Sequence, residues 1–374
     1  MREIMDLASR PGVLSLAHGL PAAELFPREA LAAAAARVLA EPASLQYGPP
    51  CRRLKTQVVE LMAARGVSCS EEQIFLTSGA QQGMDLVSRL LVEPGQPVVM
   101  EWAVYDGIQF AARSRSSEIL TVSSDPAAGI DVDEVESLLA RGVRPAYIYV
   151  ISTGHNPLGA TLSREARRRL AGLARRYGAP ILEDDAYGFL SYGEAPLPPL
   201  RAFEDEWVFY LGSFSKILAP ALRVGWLAVP ARLTARLALH KHAADLDTPS
   251  LSHPLIAAYL EAGHLPAHLE AVRAEYRRRR DAMLAALRVH FPPEARWHCP
   301  EAGMFVWIEL PPDLDAAGLL IQAVETERVA FCPGVTFCAG DAGPGARCMR
   351  LSFTNHPPER IEEGIGRLGR LLRA

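Results

Sequence analysis

Between about residues 70 and 230 the chain repeats one pattern: a short apolar run, a turn, then a longer stretch of helical spacing. Gln73–Leu76, Pro97–Met100, Ile119–Val122, Ala146–Ile151, Pro180–Leu182, Trp207–Leu211 and Val224–Val229 read as buried strands. Each is short, rich in β-branched or aromatic residues, and flanked by turn residues. Between them, a helix at Ala80–Leu91 follows Gly79. Val132–Ala140 follows the capping-box pattern Asp131-Val-Asp-Glu134. Arg164–Tyr177 starts at Ser163 and is stopped by Gly178 and Pro180. This alternation predicts an α/β fold with a mostly parallel seven-stranded sheet covered by helices on both faces.

The chain ends follow another pattern. Residues 28–41 are Ala-rich and helical, and a long helix is expected around Leu269–Val289. Strand-like Met304–Leu310 and Arg350–Phe353 precede a closing helix at Pro358–Leu372. The expected organisation is a large α/β domain over residues 46–263 and a smaller α+β domain built from residues 1–45 and 264–374. The basic run Arg277–Arg280 lies mid-helix and reads as a solvated face.

Composition narrows the choices. With 374 residues, 49% hydrophobic and 22% charged, the chain can bury a large core, which argues against disorder. A net charge of −4, from 39 basic and 43 acidic residues, argues against a polybasic binder of nucleic acid or membrane surface. No apolar stretch reaches the roughly 18 residues needed to span a bilayer. The opening MREIMDLASR has no signal-peptide core, so the cytoplasm is the expected compartment. The six cysteines form no C-x-x-C pair and read as reduced packing residues. Pro266 interrupts the His264/His268 spacing, and no metal site is expected.

The lysines are more informative. There are only three, Lys55, Lys216 and Lys241; every other basic residue is Arg. Arg keeps its proton in a protein, whereas Lys can lose it, and only an amine forms a Schiff base. Lys216, between apolar runs in YLGSFSKILAP, is the candidate. In an α/β sheet ligands bind beyond the carboxyl ends of the strands, so the residues after each strand matter. They are Thr77-Ser-Gly-Ala-Gln-Gln82, Tyr105, Asn156-Pro-Leu-Gly159, Asp184-Asp-Ala-Tyr187 and Ser213-Phe-Ser-Lys216, with Arg223 seven residues further on. Singly each has a plain alternative, such as a helix cap or core packing. Together they offer an anion cradle, a stacking ring, a buried acid, hydrogen-bond donors and an amine. That inventory suits a flat phosphorylated aldehyde, pyridoxal 5′-phosphate (PLP).

In this order, the residues resemble the class I/II aminotransferases of PLP fold type I. Leu14–Pro27, Gly303-Met-Phe-Val-Trp307, Pro333-Gly334 and Arg350-Leu-Ser-Phe353 are similar to the branch of 2-aminoadipate and kynurenine aminotransferase-like multisubstrate enzymes. The resemblance implies that Lys216 binds the cofactor aldehyde and moves the Cα proton, and that Asp184 pairs with the ring nitrogen. Tyr187 and Asn156 would bond the ring hydroxyl side, and Tyr105 would stack on the ring. Ala80, Gln81, Ser213, Ser215 and Arg223 would hold the phosphate, and Tyr47 would reach the phosphate of a neighbouring subunit in a homodimer. Arg350, with Asn156 and Gly19, would bind substrate, Arg350 gripping the α-carboxylate.

Departures from the family pattern are the shortened Cys51–Arg53 segment after Tyr47, His18 before Gly19, His155 and Leu158 around the Asn-Pro turn, and Ala221 and Ala302 in place of glycines. Arg2 matches an arginine that meets side-chain carboxylates in a relative. The expected activity is ping-pong transfer of an amino group from an L-amino acid to a 2-oxo acid, with 2-oxoglutarate as the expected acceptor. A lyase, decarboxylase or oxidase of the same fold is the alternative. A non-catalytic sensor domain is disfavoured, because the chain enters the aminotransferase-like segment almost at Met1.

Overall fold

The seven apolar runs pair into a single sheet. In the computed structural model, which describes residues 6–7, 10–115, 117–193, 196–246 and 250–373, the strands are β1 (Ile74–Thr77), β2 (Val98–Glu101), β3 (Ile119–Val122), β4 (Ile148–Val150), β5 (Ile181–Asp184), β6 (Val208–Ser213) and β7 (Gly225–Ala228). Their order across the sheet is β1-β7-β6-β5-β4-β2-β3. All neighbours are parallel except β7, which runs antiparallel to both β1 and β6. Reversal of β7 has a consequence for the site. Its first residue, Gly225, sits opposite both Thr77 and Ser213, the last residues of β1 and β6. Residues entering β7 therefore lie at the same edge as residues leaving the parallel strands.

Helices cover both faces, as the alternation predicts. α1 (Arg28–Leu39) and α2 (Arg52–Ala63) precede the sheet, α3 (Ala80–Leu91) and α4 (Asp106–Arg113) follow β1 and β2, and α5 (Val132–Ala140) and α6 (Arg164–Tyr177) flank β4. One face packs Val99, Ile148, Val150, Ile181 and Val208 against α5 and α6. On the other, Gly83 of α3 lies so close to Leu211 that an added Cβ would come within 2.3 Å of it. Fully buried Trp226 there donates Nε1 to Met62 Sδ at 3.4 Å. Asp131 and Ser163 cap their helices through side-chain oxygens, accepting from Glu134 N (3.0 Å) and Ala166 N (3.1 Å). The box expected at Asp131 does not close, because the Glu134 carboxylate accepts from Ser123 N at 2.6 Å instead. A closed capping box stands at Ser70–Gln73, leading into β1.

After β7 come α7 (Thr234–Ala244), α8 (Ser252–Glu261) and the 26-residue α9 (Leu265–His290). A second, antiparallel sheet follows, ordered β8 (Arg296–Trp297), β9 (Phe305–Glu309), β11 (Cys348–Ser352), β10 (Cys332–Pro333). α10 (Ala316–Gln322) lies between β9 and β10, and α11 (Pro358–Arg373) closes the chain against α9. The two chain ends meet: Leu14–Ser15 pairs in parallel with Val329–Ala330, and Ser352 N donates to Leu16 O at 2.8 Å.

The run Arg277–Arg280 corrects the expectation of a solvated face. Arg279 is buried, donating to Thr354 O at 2.6 Å and pairing with Glu275 and Glu24. Arg277 donates to Tyr192 O, and Arg280 to Pro300 O at 2.9 Å. Backbone carbonyls and acids from distant segments meet these guanidinium groups, so the run ties α9 to the rest of the chain. Arg277 and Arg278 stay exposed, Arg278 paired within its own helix to Glu275, so the solvated reading holds for part of the run.

Candidate active site

The strand ends converge on a cavity of about 350 Å³ at the carboxyl edge of the large sheet. Gly19, Ala80, Gln81, Tyr105, Asn156, Asp184, Tyr187, Ser213, Ser215, Lys216, Arg223 and Arg350 all line it. Tyr47 does not; it is 87% exposed on the surface of this chain. Arg2 lies outside the described residues.

One end of the cavity is built for an anion. α3 begins at Ala80 after Gly79, whose φ of 75° and ψ of 175° belong to a region that only glycine occupies readily. A Cβ on Gly79 would also sit 2.6 Å from Arg223 Nη2. Arg223 itself takes the left-handed conformation, φ 53°. That turn folds its guanidinium back over Gly79, where Nη2 donates to Ser78 O at 3.1 Å and Nη1 lies 3.5 Å from Ser215 Oγ. Ser213 Oγ accepts from Ser215 N at 3.1 Å. The Gln81 side chain is occupied with Gly107 O at 2.9 Å. The amides of the first turn have no partner within the helix, and the macrodipole adds positive character there.

The centre holds the amine and the acid. Lys216 Nζ donates to Gly19 O at 3.0 Å. Burial, reinforced by Arg350 and Arg223 against the attraction of Asp184, lowers its pKa to about 8, so a minor neutral fraction exists near neutral pH. Asp184 ends β5 with both oxygens engaged by neutral donors: Tyr149 OH at 2.7 Å and Ala186 N at 3.2 Å. Burial raises its pKa to about 6 despite these bonds. Its neighbour Asp185 turns the other way, accepting from Arg65 and from Tyr210 OH at 2.9 Å. The acid pair in the sequence thus splits into one group facing the cavity and one anchored beneath it. Burial also pushes the Tyr187 phenol above its ordinary range, with Asp184 adding to the effect.

At the other end stands Arg350, on β11. Its guanidinium lies between Phe305 and Phe337, 4.1 and 4.7 Å from the ring centroids. Nη1 donates to Asn156 Oδ1 at 2.7 Å and Nη2 to Ala17 O at 2.6 Å, while buried Nε has no partner among the described residues. Among those residues no acid pairs with it either, although it is only 7% exposed. A buried cation whose direct partners are all neutral is costly unless an anion arrives.

Sequence reasoning passed over several groups. Tyr149, inside an apolar strand, bonds Asp184; a phenol in a buried strand must find a partner, and that was the available signal. Asp106, Phe305 and Phe337 also line the cavity. His155 lies behind it, with Nε2 2.8 Å from the buried Glu101 carboxylate and Nδ1 accepting from Leu158 N at 3.3 Å. His18 is half-buried, with Nδ1 2.8 Å from Ser15 Oγ.

A buried amine facing an unpaired guanidinium is the equipment of an enzyme that handles amino acids, and the parallel sheet beneath it is that of the α/β enzymes. Residues 11–368 match the family described as Aminotransferase class I and II, and the chain belongs to that family. It is an aminotransferase of fold type I, acting in amino-acid transamination. The 2-aminoadipate transaminase of Thermus thermophilus is 42% identical, over 100% of this chain and 93% of its own length. Aromatic-amino-acid aminotransferase 1 of Thermococcus litoralis is 37% identical, over 100% and 91%. Among solved structures, the α-aminoadipate aminotransferase LysN of Thermus thermophilus, complexed with N-(5′-phosphopyridoxyl)-L-leucine, superposes with a TM-score of 0.91. It is 40% identical, and the match covers 100% of this chain and 94% of that one.

Two outcomes test this geometry. Gly79→Ala is expected to lower stability by about 1–3 kcal/mol, from the forbidden backbone angles, and, by displacing Arg223, to weaken any affinity of this end of the cavity for inorganic phosphate. Urea unfolding and phosphate titration check both. Asp184 in the fold holds its proton up to about pH 6, against a reference near 3.8. Folded protein therefore binds more protons than unfolded protein between these values, and stability falls as pH rises through that window. Asp184→Asn removes that dependence. In cofactor-free protein the variant should gain on the wild type by about 2 kcal/mol between pH 4 and pH 6. Parallel unfolding curves across that range would refute the assignment.

Proposed function

We propose that the cavity binds PLP and uses it to move the amino group of an L-amino acid to a 2-oxo acid. The residues fit that group. Asp184 is a buried carboxylate bonded only by neutral donors, and a protonated ring nitrogen is the positive partner it lacks. Gly79 lets the Arg223 guanidinium close over the start of α3, where an anion would meet it together with the unpaired amides of the first turn. When bound, the cofactor supplies an electrophilic carbonyl and a ring that accepts electrons from the substrate Cα.

The side chains divide the remaining work. Arg223, Ser213, Ser215 and the amides of Ala80 and Gln81 hold the phosphate. Tyr105 would stack on the ring, and Asn156 and Tyr187 would hold its hydroxyl side. Asp184 keeps the ring nitrogen protonated by offering it an anion in a water-poor place. Lys216, whose amine is partly neutral, would hold the cofactor carbonyl and would take the proton from the substrate Cα. Arg350 receives the α-carboxylate in a bidentate fork, with Asn156 and Gly19 beside it. The donor leaves as its oxo acid before the acceptor enters the same cavity.

The observation that carries this reading is Arg350: a buried guanidinium without an acid among the described residues, in the cavity that Lys216 also lines. By analogy with the named relatives, 2-aminoadipate and aromatic amino acids are the first donors to try, with 2-oxoglutarate as acceptor. We also infer a homodimer with shared sites. Tyr47, Leu45 and Leu246 are 87%, 67% and 76% exposed, apolar surface that a second copy would cover, and Tyr47 would then reach the partner's phosphate. The cytoplasm is the proposed compartment. No helix among the described residues is long and apolar enough to cross a membrane.

Lys216→Arg is expected to abolish the borohydride-trapped cofactor adduct and to stop turnover in a folded protein. Turnover that survives would remove the lysine from its role. Arg350→Met should lower kcat/KM for every α-amino acid by about 10²–10³-fold while cofactor absorbance persists. Equal efficiency toward an amino acid and its decarboxylated amine in the wild type would contradict carboxylate binding.

A further inference from the structure

Of the ionisable side chains lining the cavity, Lys216, Asp184, Arg223, Arg350 and the two tyrosines have tasks in the reading above. Asp106 has none. It is the first residue of α4, immediately after Tyr105. An acid in a first helical turn is favoured by the macrodipole, so a purely local role would explain its presence there. Its surroundings go further. Asp106 is largely withdrawn from solvent, and burial raises its pKa, with Arg350 the strongest opposing charge. Its carboxylate meets only the amides of its own helix start and makes no ion pair among the described residues.

Position places this acid beside the substrate end of the cavity. Val104 N and Gln109 Nε2, on either side of Asp106, both donate to Phe337 O, at 2.9 and 3.1 Å. The ring of that same Phe337 lies 4.7 Å from the Arg350 guanidinium. The start of α4 is thus strapped to the residue that covers the carboxylate-binding arginine. A donor whose α-carboxylate is held by Arg350 and whose Cα faces Lys216 must place its side chain in what remains of the cavity, and the acid lining that space without an ion pair is Asp106.

We propose that Asp106 selects the amino donor by its side chain, favouring amino acids that end in a cationic amine over uncharged ones and disfavouring those that end in a second carboxylate. This rests on the assignment of Lys216 and Arg350 to the same substrate. It also separates this chain from its named relative: a 2-aminoadipate side chain brings a like charge to Asp106, whereas L-lysine or L-ornithine brings the opposite one. In a half-buried site one such charge contact amounts to about tenfold in kcat/KM.

The test uses the PLP-loaded enzyme and half-reactions followed by cofactor absorbance. Donors are L-lysine, L-norleucine and L-2-aminoadipate, similar in length and differing in terminal charge. In the wild type the lysine-to-norleucine ratio of kcat/KM should be about tenfold above one. Asp106→Asn should collapse that ratio about tenfold and raise the 2-aminoadipate-to-norleucine ratio by a similar factor. Asp106→Glu, which keeps the charge, should retain the wild-type order. Ratios within one enzyme cancel any loss of folded protein. A helix-start role alone would change all three donors together and leave the ratios fixed. Ratios that stay fixed in Asp106→Asn, or a wild type that favours norleucine over lysine, overturn the proposal while leaving the aminotransferase reading intact. A wild type that converts none of the three but does convert L-phenylalanine overturns the proposal alone, and one that converts no L-amino acid overturns the proposed function as well.

Discussion

Three cationic groups share one cavity, and among the described residues none of the three is paired with a side-chain anion of its own. Arg350, Lys216 and Arg223 are each held by carbonyl oxygens or by neutral side chains. Neutral partners fix the direction of a charged group without neutralising it, so its attraction for an anionic ligand remains available. The fold can sustain such a cavity because its core is large: both faces of the central sheet are packed, and buried side chains as big as Trp226, Tyr147 and Phe209 surround it. The same core also contains the paired ionic groups Arg65 and Asp185, directly beneath the site. Charges are satisfied below the reacting centre and left open within it.

Topology decides which residues can share that cavity. Parallel strands β2, β4, β5 and β6 deliver their loops to one edge, which brings Tyr105, Asn156, Asp184 and Ser213 together. Arg223 could not join them if β7 ran parallel, because the residues before a parallel strand lie at the opposite edge. Antiparallel pairing of Gly225 with both Thr77 and Ser213 puts Arg223 over Gly79. Arg350 comes from another sheet altogether and arrives through the packing of β11 beside β9.

How much of this could be read from residues alone follows from range. The helices at Ala80–Leu91, Val132–Ala140 and Arg164–Tyr177 appear with the bounds expected for them, because their caps and stop signals are local. Strand-end chemistry was legible for the same reason, since the rule that sites lie at carboxyl ends needs only the strand positions. Direction was not: nothing in Val224–Val229 says that it runs against its neighbours. Arg279 read as solvated because its partners, Thr354 and Glu24, are distant in sequence. Asp106 was invisible as a cavity residue, since an acid after an aromatic looks like any helix start. Glu134 was expected to close a box and went to Ser123 instead, a competition between two nearby amides that spacing does not resolve.

The short stretch of backbone from Leu16 to Leu20 joins parts of the molecule that are otherwise separate. Its carbonyls are shared out among four recipients: Leu16 O to the amide of Ser352, Ala17 O to Arg350, Gly19 O to Lys216 and Leu20 O to Thr354. Gly19 also lies against Phe305 so tightly that a Cβ would meet the ring at 2.7 Å. One ribbon of peptide therefore touches the group that grips the carboxyl and the group that attacks. Lys216 and Arg350 thus take part of their support from the same five residues of backbone. Two residues 134 positions apart, Lys216 after β6 and Arg350 on β11, are in this way braced by neighbouring carbonyls of one segment.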